Sequence, residues 1–178
     1  VLTDKWPVLH HGSVPTVDLT KWEFRVDGLV EETLRFTWDA FLALPRVQVH
    51  SDIHCVTRWS RYDNLWEGVA IRELLRRARP TTAARFAVIH AEQGFTTNLP
   101  LGELDQDDVL LADKHDGEAL TPEHGWPLRL VVPRRYFWKS AKWVTRVELV
   151  AADQPGFWER NGYHNEADPW REERFSDW

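Results

Sequence analysis

The sequence predicts an α+β fold of mixed β-sheets with few short helices, on three observations. Short β-type runs bounded by Gly, Pro, Asn and Asp crowd the second half of the chain. Only two helical patterns are visible, and both are brief. Strands and helices do not alternate as a doubly wound parallel sheet requires. With 178 residues, 43% hydrophobic content and 11 tryptophans, the chain can bury a substantial core. The simplest organisation is one domain over residues 1–178, with a C-terminal tail (about 153–178) wrapping the rest.

The elements follow in order. "WEFRVDGLV", residues 22–30, alternates apolar and polar positions and reads as a half-buried strand turning at Gly28. Thr37 is placed to cap a short helix from Trp38 to Leu44, with Phe41, Leu42 and Leu44 on its apolar face and Pro45 ending it. "VQVHSDI" alternates again, with Val47, Val49 and Ser51 on one face, and delivers His54 and Cys55 to a strand end. "GVAIRELLRRA", residues 68–78, spaces Ile71, Leu74, Leu75 and Ala78 as a helix, and Pro80 closes it. "RFAVIHA", "VLLA", "LRLVVP" and "KWVTRVELV" read as strands. The tail "PGFWERNGYHNEADPWREERFSDW" interleaves aromatics with charges, which predicts a structured arm, since disordered ends are poor in aromatics.

Charge and hydropathy exclude some functions. A formal net charge of −6 argues against general nucleic-acid binding, which needs a basic surplus. No apolar run approaches the roughly 20 residues that cross a bilayer, and "VLTDKWPVLHHG" lacks a secretory pattern. The expectation is a soluble, cytoplasmic protein that engages neither nucleic acid nor membrane. It does not reach beyond residue 1, because the chain holds no methionine.

Two segments carry chemistry. The first is "HSDIHCVTRWS", with the only cysteine of the chain. A lone cysteine is most often a small buried hydrophobe. Cys55, however, is flanked by His54 and Arg58, and nearby positive charge favours a thiolate. Three chemistries remain open. A catalytic nucleophile lacks a local triad signature. A zinc site with His50 and His54 lacks paired ligand spacing. A single thiolate anchoring a metal whose other ligands are organic needs only one cysteine, and it predicts a separate site for an anionic cofactor.

The second segment, "RLVVPRRYFWKSAK", supplies one. Arg129, Arg134, Arg135, Lys139 and Lys142 occur there without an acidic residue. Cations with the Ser140 hydroxyl suit a phosphate, and Tyr136, Phe137 and Trp138 suit a flat heterocycle. The competing reading is a solvated basic hairpin.

With both segments in view, the chain resembles the molybdopterin-binding oxidoreductase family that includes sulfite oxidase and the bacterial sulfoxide-reducing molybdoenzymes. The likeness is carried by "HCVTRWS", "GFTTNLPL", "DVLLADKHDGEALTPEHGWPLRLVVPRRYFWKSAKWV" and the tail "PGFWERNGYHNEADPWREERF". It implies a sulfite-oxidase-type molybdopterin-binding domain with molybdenum held by the pterin dithiolene and Cys55. By position, it also implies pterin contacts from His10 and His11, a cofactor-binding pair in His124 and Arg129, and a gripping loop of Lys139, Ser140 and Lys142. Sulfite oxidases of the family place arginines where Leu9 and Ser60 stand and a tyrosine where Phe95 stands. A sulfite dianion relies on charge-assisted hydrogen bonds. The resemblance therefore implies oxygen-atom transfer on a small sulfoxide or N-oxide rather than sulfite oxidation, with the proton taken from a histidine or water. His54 and Arg58 are candidates to support the thiolate. A separate redox protein is the expected electron partner. The rival is a non-catalytic molybdopterin- or anion-binding module. His50, His90, His115 and His164 read as structural.

Overall fold

A computed structural model describes residues 2–4, 6–8 and 12–176. The strands are β1 (Glu23–Gly28), β2 (Leu34–Thr37), β3 (Val47–His54), β4 (Ser60–Ala70), β5 (Phe86–Ala91), β6 (Thr96–Pro100), β7 (Leu110–His115), β8 (Glu118–Ala119), β9 (Arg129–Val131) and β10 (Val144–Val150). The helices are α1 (Trp38–Leu42), α2 (Ile71–Ala78), α3 (Leu101–Leu104) and α4 (Phe157–Arg160), with single 3-10 turns at Pro122–His124 and Phe137–Lys139 among others. The α+β expectation, with mixed sheets and few short helices, holds.

One sheet has the order β2-β1-β10-β5-β6, and the other runs β3-β4-β7-β8 with β9 on β7. β1 and β10 pair in parallel although most of the chain separates them; the remaining ladders are antiparallel. The main core lies under the first sheet, where Phe24, Val26, Val147 and Leu149 meet Phe41 of α1 and Leu74 of α2. A second cluster, around Ile53, Trp66, Leu110 and Val131, lies under the other sheet, with Trp6, Trp59 and Phe137 packed against it.

Local chemistry explains most boundaries. Thr37 Oγ1 accepts the Ala40 N–H at 3.3 Å, capping α1 as its sequence position predicts. Leu42 is 38% exposed, while Phe41 and Leu44 are buried, so the apolar face of α1 is narrower than expected. The predicted helix over residues 68–78 begins only at Ile71, because Gly68–Ala70 complete β4 against β7. Helical periodicity in Ile71, Leu74, Leu75 and Ala78 was real, but nothing in it marked the strand before. Gly68 is required there: a Cβ would fall 1.9 Å from the Leu111 carbonyl oxygen.

The tail is structured, as its aromatics predict. Gly156 passes so close to β6 that a Cβ would lie 2.3 Å from Thr96 O. Beyond it α4 docks on β6, and Tyr163 is bridged to Phe175. No described helix is long and apolar enough to cross a membrane.

Candidate functional site

A cavity of about 440 Å³ opens where six segments converge: residues near the N-terminus such as Trp6, the β3–β4 turn with Cys55, the β5–β6 turn, the turn at His124, the segment from β9 to β10, and the tail. Each wall follows from local sequence. β3 ends at His54, and the next residues close a turn in which the Arg58 N–H donates to Cys55 O at 3.0 Å and the Cys55 N–H donates to Trp59 O at 3.0 Å. Arg58 takes φ 68° to complete it. The thiol is buried, lines the cavity and lies 3.1 Å from Thr57 Oγ1.

Five of the predicted site residues are gathered around this space: Cys55, His124, Arg129, Ser140 and Lys142. Arg129, on β9, is 1% exposed. Its guanidinium donates to the carbonyls of His124 at 2.9 Å and Ser140 at 2.7 Å, and its Cζ lies 4.2 Å from the Phe137 ring centre. Among the described residues no carboxylate pairs with it. Burial pulls its pKa down to about 9. Lys142 donates to Glu123 O at 2.9 Å and lies 4.9 Å from the Trp143 ring centre. Burial, with Arg129 adding repulsion, pulls its pKa down to about 7. His124 stacks on Trp6 at 3.7 Å, and burial lowers its pKa. Gly125, at φ 112°, lets this turn approach Arg129 and Lys142. Ser140 Oγ accepts the Val132 N–H at 2.9 Å, which fixes the loop.

Lys139 does not join them. Its side chain is 0% exposed, absent from the cavity wall, and pairs with Glu159 Oε1 at 2.6 Å. It also donates to Asn98 O and Oδ1 at 2.9 and 3.0 Å. Expected to grip a ligand, this ammonium instead binds the tail to β6, because its partner carboxylate lies in α4, twenty residues on in sequence. Arg134 and Arg135 are likewise engaged, by Asp108 at 3.4 Å and by Glu103 at 2.9 Å. His10 and His11 lie outside the described residues, as does Leu9.

Of the two groups expected to support the thiolate, His54 is engaged by Ser60 and Trp170. Its Nδ1 lies 3.0 Å from Ser60 Oγ, and burial lowers its pKa. The Arg58 side chain is exposed. Of the histidines read as structural, His90 lies 3.0 Å from Glu148, and exposed His50 lies 3.4 Å from Asp63. His115 contacts Arg61 and Asn64, with burial lowering its pKa to about 4, and His164 Nδ1 accepts the Glu166 N–H at 3.2 Å. No three His, Cys, Asp or Glu side chains among the described residues converge on a metal position, so the zinc alternative finds no ligand set there.

Sequence reasoning missed two features. Tyr163, from the tail, lines the same cavity as Phe95; its ring stacks on Trp158 at 5.2 Å and tilts against Trp138 at 4.9 Å. Burial raises its phenol pKa, with the Cys55 charge adding to the shift, so it stays protonated at neutral pH. The cavity wall thus holds a phenol from about seventy positions beyond Phe95. "NGYHN" showed an aromatic but not where it folds to. Second, the indole N–H groups of Trp59 and Trp138, both in the wall, are buried without a hydrogen-bond partner among the described residues. Such donors are costly unless a ligand meets them.

These features test the fit of a pterin carrying a phosphate. A buried arginine that meets no carboxylate among the described residues, a lysine near it, two indole donors with no partner among the described residues and aromatic walls suit an anionic, planar, acceptor-rich group. The residues fit it.

Comparison with known proteins agrees. A family model described as "Oxidoreductase molybdopterin binding domain" matches residues 11–158. The chain is 48% identical over 176 residues to the uncharacterized oxidoreductase YuiH of Bacillus subtilis, covering 98% of this chain and 89% of that protein. It is 26% identical over 151 residues to YedZ1 of Azospira oryzae, whose name ties it to protein-methionine-sulfoxide reduction, covering 85% of this chain and 57% of that one. It is 27% identical to an NADH nitrate reductase of Phaseolus vulgaris over 80% of this chain, but spans only 20% of that protein. The structure of the sulfane dehydrogenase SoxCD of Paracoccus pantotrophus aligns with a TM-score of 0.74 at 25% identity, covering 81% of this chain and 42% of that one.

Proposed function

Because the chain belongs to the oxidoreductase molybdopterin-binding family, and is a molybdopterin-dependent oxidoreductase, we propose that it removes an oxygen atom from a small neutral sulfoxide or N-oxide. The observation that carries this choice is the charge of the cavity wall. Among its described lining residues the lysine and arginine side chains are Arg129 and Lys142, both from segments that would hold the cofactor, and Glu92 adds a carboxylate. Among the described lining residues no further lysine or arginine stands ready for a sulfite dianion. Ser60, where an arginine was expected in a sulfite oxidase, is turned to His54 and does not line the space.

Bound here, the cofactor supplies a two-electron couple suited to oxygen-atom transfer. The chain supplies the rest. Cys55 offers one thiolate ligand from a rigid turn. Arg129, Lys142, His124 and Ser140 hold the phosphate-bearing part. Tyr163 keeps a proton on its phenol in the same space and can donate it to an oxygen leaving the substrate. Trp158, Phe157 and Phe95 line the space and exclude water. Reducing equivalents come from a separate redox protein. The sulfoxide-related name of one relative supports the same class.

The test is turnover of cofactor-loaded protein with a reduced viologen dye. The expected result is a higher kcat/KM for methyl sulfoxides or trimethylamine N-oxide than for nitrate, and negligible sulfite oxidation. A preference for sulfite or nitrate would refute the substrate class. A loaded protein silent with all of them would favour the non-catalytic binding module. Cys55→Ser should abolish turnover and lower the molybdenum content; equal activity in both proteins would remove the thiolate from the chemistry.

A further inference from the structure

The guanidinium of Arg174 reaches back 118 residues in sequence to the turn that carries the cysteine. Its Nη1 donates to the carbonyls of both Cys55, at 3.2 Å, and Val56, at 2.9 Å. The group is itself held. Nε donates to Glu172 at 2.8 Å, Cζ lies 4.9 Å from the Tyr136 ring centre, and the side chain is only 17% exposed. A cation anchored at several points and bonded to two consecutive carbonyls fixes two consecutive peptide planes. Because each plane is rigid and only φ and ψ are soft, this sets the φ and ψ of Val56, while the Cys55 N–H is held separately by Trp59 O. The Cys55 carbonyl also accepts the Arg58 N–H, so the turn is closed from inside by its own backbone and from outside by the tail.

We propose that Arg174 is a positioning residue that locks the Cys55 turn, so that the thiolate enters the cavity in one direction. The locking is a property of the chain alone; its consequence for the metal rests on the reading of Cys55 as a cofactor ligand. It gives the tail a role besides covering the fold: the segment that ends the described chain controls the presentation of its one thiol.

The single cysteine makes the test unambiguous. In cofactor-free, full-length protein, alkylation of Cys55 by iodoacetamide, followed by intact mass, reads how often the turn opens. Arg174→Gln should raise the rate about tenfold, within what a charge-assisted hydrogen bond provides. Arg174→Lys should restore much of the protection, and Arg171→Gln, which changes an exposed charge of the same tail, should leave the rate unchanged. In loaded protein, Arg174→Gln should shift the Mo(V) electron paramagnetic resonance signal while pterin content stays constant. A wild-type alkylation rate in Arg174→Gln, an equal rise in Arg171→Gln, or a rise that merely tracks chymotryptic release of the tail would overturn the proposal. Raised alkylation with an unshifted Mo(V) signal would leave the lock in place and refute the thiolate as metal ligand, which separates the two claims.

Discussion

Lys139 and Arg129 are buried cations from one basic stretch, ten residues apart, and the structure uses them in opposite ways. Lys139 meets Glu159 at 2.6 Å inside a network that includes Thr97, Asn98 and Asp153 and fastens the tail to β6. Among the described residues Arg129 meets only backbone carbonyls and aromatic faces, and it lines a cavity. The difference teaches how to read such a stretch. A buried cation that finds a carboxylate in its own chain is part of the fold. One that does not is left with a buried charge that is costly unless an anion from outside meets it.

The sharpest attack on that contrast removes the paired cation. Lys139→Met strands Glu159, whose Oε2 already lacks a partner, and should cost about 3–5 kcal/mol, lowering Tm by roughly 10 °C in a thermal melt. Arg129→Met should do the reverse. Cofactor retention, read as molybdenum per protein, should fall at least about tenfold, while the stability of the cofactor-free form should change by no more than about 2 kcal/mol. Similar stability losses in both variants would erase the distinction.

Glu159→Gln tests whether the two cations can be made alike. It leaves Lys139 buried without a carboxylate, so its pKa, already pulled down by burial, should fall further. The destabilisation measured by urea unfolding at pH 7 should then shrink as the pH rises and the lysine gives up its proton. Lys142 offers a milder version in the native chain. With a folded pKa of about 7, it is protonated below neutrality and neutral above, whereas the unfolded chain keeps that proton up to the ordinary lysine range. Between those limits the unfolded state binds more protons, so the stability of cofactor-free protein should rise with pH there. Anion binding should run the other way. Sulfate, whose charge is constant across this range, should protect the cofactor-free protein from heat several-fold more effectively at pH 6 than at pH 8.5. A pH-independent effect would mean that Lys142 does not face the anion. The smallest effect belongs to Arg134, about half exposed and beside Asp108: Arg134→Gln should change stability by less than about 1 kcal/mol and leave molybdenum content intact.

Much of this was legible beforehand. The capped start of α1, the strand ending at the cysteine, the apolar spacing of α2 and the structured tail all express local rules, and all are present. The eleven-residue β4 left no such trace, because its register is set by β3 and β7 on either side rather than by a regular alternation of its own. At the site, the sequence pointed to Cys55, Arg129 and Lys142, and also to Lys139, which the fold employs otherwise. It was silent on Tyr163, Arg174 and the indole donors of Trp59 and Trp138.

By itself, then, the sequence determined the composition of the site: one thiol, a cluster of cations and a surplus of aromatics, together with the short-strand pattern that yields mixed sheets. Only the tertiary structure decided which cations find carboxylates, which phenol lines the same cavity as the sulfur and which arginine bonds to the cysteine turn. Those outcomes depend on pairs such as Cys55 with Arg174 and Lys139 with Glu159, brought together by sheet pairing and by the path of the tail. Periodicity and capping act over a few residues. The energy of a buried charge depends on whatever lies within a few ångströms, however far along the chain it was written.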